Sequence, residues 1–130
     1  MNWKRNRILV VDDDTNILRV FKSILEKEGY NVETAETGKG ALKKIKKAKF
    51  SAYLVDVKLP DMDGTDLLLK IPNNLKTIKI IITGFSTDEA GKKAADYGAD
   101  DFLVKPVKAE ELIATVRERF HSIQQEHQGF

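Results

Sequence analysis

The chain has 130 residues, of which 42% are hydrophobic and 32% charged, with a formal net charge of +2. That length suits one domain with its own core, and that composition excludes a disordered chain. The absence of cysteine excludes disulfides, thiolate metal sites and a Cys nucleophile, and so small a net charge does not by itself imply nucleic-acid binding.

The basic opening, Met1 to Arg7, is followed by an apolar run too short for a signal peptide, and nothing approaches a membrane span. A cytoplasmic single-domain protein is expected. Ile8-Leu9-Val10-Val11 is apolar at every position, as a central parallel strand is. Ile17, Phe21, Ile24 and Leu25 then recur at helical spacing, and Gly29 stands where a helix ends. Val32 to Ala35 is a weaker strand. Ala41, Leu42, Ile45 and Ala48 stripe a second helix, with lysines on its other face. Tyr53-Leu54-Val55 is the third strand. Leu67, Leu68 and Ile71 begin a short helix that Pro72 stops. Ile78 to Ile82 is the fourth strand. Residues 86–97 are helical, with little beyond Ala90, Ala94 and Ala95 to turn inward. Phe102-Leu103-Val104 is the fifth strand, and Leu112, Ile113, Val116 and Phe120 stripe the last helix. The polar stretch from 121 to 130 is a helix end or the start of a linker. Strands alternating with helices in this way imply an α/β fold with a five-stranded parallel sheet and five helices on both faces.

Ligands of an open parallel sheet bind outside the carboxyl ends of its strands. Asp12-Asp13-Asp14 follows strand 1, Asp56 strand 3, Thr83-Gly84 strand 4 and Lys105-Pro106 strand 5. Each has an ordinary reading by itself. Asp14 and Thr15 suit a helix N-cap, and an Asp or Thr at a strand end is often a turn residue. Together they bring acids, a hydroxyl and an amine to one edge. Crowded carboxylates repel unless a cation is present, and hard oxygen ligands suit Mg²⁺. A carboxylate beside such an ion can act as a nucleophile toward phosphorus, and a transferring phosphoryl group needs cationic and hydrogen-bonding partners.

"ILVVDDD", "VDVKLPDMDG", "IIITG" and "DDFLVKP", in this order, resemble the successive motifs of the response-regulator receiver domain of two-component signalling. The match runs from about residue 6 to residue 120 of a single domain spanning 1–130. The resemblance implies a flavodoxin-like sheet of order 2-1-3-4-5. It implies that Asp56 is the phosphoacceptor, with Mg²⁺ held by Asp13, by Asp12 through water, by Asp56 and by the backbone carbonyl of Lys58. Thr83 and Lys105 would bind phosphoryl oxygens, the Lys105-Pro106 peptide would be cis, and Phe102 would be the aromatic switch residue. Phe102 stands where tyrosine is common, which removes a hydroxyl. Pro60 and Gly64 would shape the loop after Asp56. Lys58 and Phe85 match positions that tune dephosphorylation. The implied donor is a sensor histidine kinase or a histidine phosphotransfer protein. The output partner is unknown, with no direct nucleic-acid or membrane contact by this domain. Such a protein catalyses its own phosphorylation and is not a turnover enzyme. It is a stand-alone receiver or one excised from a longer regulator.

Other classes fit less well. A haloacid-dehalogenase-type phosphatase uses a D-x-D-x-T motif, but Asp12-Asp13-Asp14-Thr15-Asn16 puts Asn where Thr is needed. A flavodoxin-like cofactor binder needs a phosphate loop after strand 1, where three aspartates would repel phosphate. A degenerate receiver serving only as an interaction module would not need Asp56, Thr83 and Lys105. The lysines at 43, 44, 46, 47 and 49 read as a solvated face, with contact to an acidic partner or nucleic acid the lesser reading.

Overall fold

Five parallel strands form one sheet in a computed structural model of the chain, which describes residues 6–72, 77–84 and 86–128. In chain order the elements are β1 (Arg7–Val11), α1 (Thr15–Lys27), β2 (Asn31–Ala35), α2 (Gly38–Lys47), β3 (Ala52–Asp56), α3 (Gly64–Lys70), β4 (Ile78–Thr83), α4 (Thr87–Asp96), β5 (Asp101–Val104) and α5 (Ala109–Gln128). The sheet order is β2-β1-β3-β4-β5, as the resemblance implies. The chain runs out from β1 to β2 and then returns to the other side of β1 as β3. The reversal opens a crevice at the carboxyl ends of β1 and β3.

The central strands β1, β3 and β4 are largely apolar on both faces because helices cover both. Side chains alternate along a strand. Ile8, Val10, Leu54, Ile80 and Ile82 therefore share one layer with Leu18, Phe21 and Leu25 of α1 and Leu112 and Val116 of α5. Leu9, Val11, Tyr53, Val55 and Ile81 point the other way, onto Ala41 of α2, Leu67 and Leu68 of α3 and Ala94 of α4. Each fully buried Ile or Leu stabilises the fold by roughly 1.5–3 kcal/mol relative to exposure. The core can thus carry a rim of charged residues that gains nothing from burial.

The helix ends follow local chemistry. Asp14 is the N-cap of α1, and its carboxylate accepts from the N–H groups of Asn16 at 2.9 Å and Ile17 at 3.4 Å. The capping reading of Asp14 is therefore the right one. Gly29 follows α1 with φ 99°, a left-handed conformation that glycine adopts without a Cβ penalty. α5 continues through residues 121–128, where Ile123 packs against the core, so the polar stretch is helical as far as it is described. On α4, Ala90 and Ala94 are buried but Ala95 is exposed, a correction to the expected inward face. Ten residues of helix turn only two alanines fully inward, because Ala95 falls about 100° around the axis from Ala94. On α2, Lys43, Lys46 and Lys47 are exposed, while Lys44 lies 3.7 Å from Glu33. Among the described residues no helix is long and apolar enough to cross a membrane.

Candidate acidic site at the carboxyl edge of the sheet

Strand register levels the site residues. Val11 pairs with Val55, so Asp12 and Asp56 extend from neighbouring strands at the same height. Asp56 pairs with Ile82 and Thr83 with Val104, which sets Thr83 one step and Lys105 two steps further out. The N–H of Lys105 donates to the carbonyl of Thr83 at 2.8 Å, tying the two strand ends together. The Lys105-Pro106 peptide is cis.

Carboxylate oxygens of Asp12, Asp13 and Asp56 lie within 4.8 Å of one another. Asp12 and Thr83 are fully buried and Asp56 nearly so, while Asp13 is exposed. The Lys105 ammonium donates to Asp56 Oδ2 at 2.9 Å. It also lies 3.1 Å from Asp12 Oδ2. That second contact is an ion pair off the hydrogen-bond direction, for Asp12 Oδ2 is buried without a hydrogen-bond partner. The remaining oxygens accept from backbone: the N–H of Lys58 donates to Asp56 Oδ1 at 3.0 Å, and that of Asp14 to Asp12 Oδ1 at 2.9 Å. A cavity of about 380 Å³ opens over the group, lined by Asp13, Asp56, Lys58, Thr83, Gly84 and Lys105 among others.

The electrostatics are those of one cation among three acids. Burial pushes the Asp12 carboxyl up to about 6. The Asp56 charge adds to this, against the opposing Asp14 N–H and Lys105 ammonium. Burial acts to lower the Lys105 pKa, but the Asp56 hydrogen bond and the close carboxylates of Asp56 and Asp12 outweigh it and hold the pKa above its ordinary value. Lys105 is therefore charged at neutral pH and neutralises one carboxylate of three. One ammonium shared between Asp12 and Asp56, with Asp13 alongside, leaves the site short of positive charge. The three aspartates form a group that could hold a metal ion. Their hard oxygen donors suit a divalent cation such as Mg²⁺ or Ca²⁺.

The loop after Asp56 folds back on the acceptor strand. The N–H of Gly64 donates to the carbonyl of Val57 at 2.8 Å, and a Cβ on Gly64 would run into the carbonyl of Asp56. Glycine is required there by close approach. Leu59 N–H donates to Met62 O at 3.2 Å, and Lys58 bridges to Asp63, closing a tight turn over Pro60 and Asp61.

The residues expected at the site divide clearly. Asp12, Asp13, Asp56, Lys58, Thr83 and Lys105 come together, and Gly64 supports them. Phe102 does not line the cavity. It is half-buried on β5 and packs with the core layer under α2, α3 and α4, its ring facing Gly91 of α4. Pro106 lines a different, apolar groove of about 450 Å³ with Ile17, Val20 and Phe21 of α1. Phe85 lies outside the described residues.

Two residues escaped sequence reasoning. Asp61 accepts from the N–H of Gly38 at 2.8 Å and of Lys39 at 2.9 Å, at the start of α2. Those hydrogen bonds hold its carboxyl below the usual range. Its place inside "LPDMDG" was a signal of the turn but not of the partner. Lys79 is a buried lysine in β4, whose ammonium reaches the carbonyls of Leu68 and Ile71 at 3.4 Å each. It satisfies carbonyls at the end of α3, the favourable end of a helix for a cation.

A family model for the response regulator receiver domain matches residues 8–117. The chain is 38% identical over 111 residues to the response regulator ArlR of Staphylococcus saprophyticus, a match covering 85% of this chain and 50% of that one. It thus spans about half the length of the curated relatives it matches. Among solved structures, it is 42% identical to a CheY-like response regulator receiver domain protein from Methanospirillum hungatei, with a TM-score of 0.84 over 94% of this chain and 98% of that one. The DrrB receiver domain in its BeF₃-activated form is 36% identical, with a TM-score of 0.80 over 91% of this chain and 98% of that one. The chain belongs to the response regulator receiver domain family and is a receiver domain of a two-component response regulator.

Proposed function

We propose that Asp56 is the phosphoacceptor of this receiver. The observation that carries this reading is the double grip on its carboxylate. Lys105 Nζ holds one oxygen and Lys58 N–H the other, at the floor of a cavity that Thr83 also lines. An oxygen of Asp56 forms the new bond to phosphorus as the bond from phosphorus to the donor's imidazole nitrogen, or to the acyl oxygen of a small donor, breaks. The electron pair of that bond leaves with the donor. The Lys105 ammonium is placed to follow charge onto the phosphoryl oxygens, and the Thr83 hydroxyl to donate to one of them. Such a chain catalyses its own modification once per cycle, with the donor as substrate.

Mg²⁺ is the metal this reading requires, held by Asp13, Asp56 and the Lys58 carbonyl, with Asp12 acting through water. When bound, it would offset the carboxylate charge and share that of the phosphoryl group. The three carboxylates gathered around one ammonium, with Asp12 Oδ2 buried and lacking a hydrogen bond, support the fit. The donor is a histidine kinase or a histidine phosphotransfer protein, and residues 1–130 act as one receiver unit with its core at about 6–120. Lys58 and Phe85 set the lifetime of the phosphoryl group. Output runs through Thr83, Phe102 and α4 to a partner or an output domain. The poor burial of α4 and the Phe102 ring against Gly91 support this, because a weakly held element is the one a small free energy can move.

Intact mass after incubation with acetyl phosphate and Mg²⁺ tests the acceptor. Wild-type chain gains one phosphoryl group and Asp56→Asn gains none. Equal incorporation by both would overturn the assignment.

A further inference from the structure

The loop that joins Asp56 to α3 is pinned at two places, and only one of them belongs to the acceptor strand. At its base, Gly64 lies directly on the Asp56 backbone. At its tip, Asp61 reaches across to another part of the chain. Its Oδ1 accepts from Gly38 N–H at 2.8 Å and its Oδ2 from Lys39 N–H at 2.9 Å. These are the first two residues of α2, whose N–H groups have no partner within the helix. Thr37 caps the same helix but accepts only from Gly40, at 2.9 Å. Asp61 therefore satisfies donors that the N-cap does not reach, with both oxygens at once. The neighbouring side chain adds to the grip. Met62 fills the space over Gly38, where a Cβ would collide with its side chain.

We infer that Asp61 is a positioning residue for the metal site, acting through the backbone of Lys58. Between Asp56 at the base and Asp61 at the tip run Val57, Lys58, Leu59 and Pro60. Lys58 donates its N–H to Asp56 Oδ1, and its carbonyl is the backbone ligand in the proposed Mg²⁺ site. A carbonyl ligand on an unanchored turn must be ordered each time the ion binds. An ion with strict octahedral demands is sensitive to that cost. The Asp61 fork meets it in advance. It fastens the turn to α2, an element that also packs on β1, β2 and α3. Asp61 does not line the cavity, so its effect on the site is indirect.

This inference rests on the reading that Asp12, Asp13, Asp56 and the Lys58 carbonyl take Mg²⁺, and the experiment separates the two. Mg²⁺ is titrated into the wild-type chain, Asp61→Ala and Asp61→Asn, followed by amide NMR shifts near residues 12, 13 and 56. Hydrogen exchange at Gly38 and Lys39 is read in the same samples. Failure of wild type to bind Mg²⁺ at these residues would overturn the site itself. Given binding, Asp61→Ala should raise the Mg²⁺ dissociation constant by about tenfold, the lower end of what groups supporting metal ligands contribute. Asp61→Asn, which keeps one acceptor oxygen, should fall between. Phosphorylation at saturating Mg²⁺ should remain near the wild-type rate, since the reacting groups are untouched. Faster exchange at Gly38 and Lys39 with an unchanged dissociation constant would make Asp61 a helix cap only and overturn the inference.

Discussion

Lys105 sets its ammonium 2.9 Å from Oδ2 of Asp56, a residue 49 positions earlier in the chain. The contact spans two strand ends, β3 and β5, that are not neighbours in the sheet, with β4 between them. Only the reach of a lysine side chain over Thr83 closes that gap. The same ammonium is the one cation among the described residues paired with Asp12 and Asp56.

Removing that cation should therefore slow phosphorylation without removing the acceptor. Lys105→Ala is expected to take up phosphate from acetyl phosphate at least about tenfold more slowly than wild type, within the range for losing one group that stabilises transition-state charge. Lys105→Arg should not restore the rate, since a planar guanidinium cannot reproduce the point contact to both carboxylates. Time courses by intact mass check this. Wild-type rates in Lys105→Ala would remove Lys105 from the chemistry.

The raised Asp12 carboxyl gives a pH dependence with a definite sign. Its pKa is about 6 in the fold and 3.8 in the unfolded chain. Between about pH 4 and pH 6 the folded chain keeps a proton that the unfolded chain has released. The stability this carboxyl contributes is thus complete below pH 4 and lost as the pH rises through 6, by on the order of 3 kcal/mol. Asp12→Asn has no such loss. Urea unfolding in metal-free buffer should show Asp12→Asn gaining on wild type by that amount between pH 4 and pH 7. A constant difference across the range would contradict the assignment.

Much of this was legible because the relevant physics is local or periodic. Ile8 to Val11 and Ile80 to Ile82 announce buried strands by their apolar runs, and Asp56, Thr83 and Lys105 fall at strand ends that the parallel topology must bring together. What was not legible depends on contacts without a period. Nothing in the spacing of Asp61 from Gly38 marks a carboxylate fork between a loop and the start of α2. Lys79 reads as a polar interruption of β4, yet its stem is buried and its amine serves α3. Ala95 looks as suited to the core as Ala94, and only the rotation of α4 on the sheet separates them. Phe102 was found by motif, but its seat against Gly91 needed the packing.

That seat bears on signalling. α4 buries little, and where it faces the Phe102 ring it presents Gly91, with no side chain of its own there. Phosphorylation, or BeF₃⁻ as its mimic, should shift amide resonances across residues 84–105 as well as beside Asp56. Changes confined to the immediate neighbours of Asp56, with none on α4 or β5, would contradict an output through that surface.

The proposed role of Lys58 and Phe85 in setting the phosphoryl lifetime is one of keeping water out, and Lys58 lines the cavity. A third cation adds little charge stabilisation beside Lys105 and a metal, so occlusion is the larger effect. Replacing Lys58 with Asn and Phe85 with Ala together should speed phosphate loss by roughly tenfold, a barrier lower by about 1.4 kcal/mol. A decay rate unchanged or slowed by the double substitution would reverse that judgement.

The most direct test of the whole account is chemical mapping of the phosphorylated residue. Wild-type chain is phosphorylated with Mg²⁺ present, the acyl phosphate is reduced with borohydride, and peptides are sequenced by mass. The account predicts reduction of the side chain to homoserine at position 56 alone, abolished by chelation of Mg²⁺. Reduction at position 12 or 13 in place of 56, or labelling at 56 that persists without any divalent ion, would contradict it.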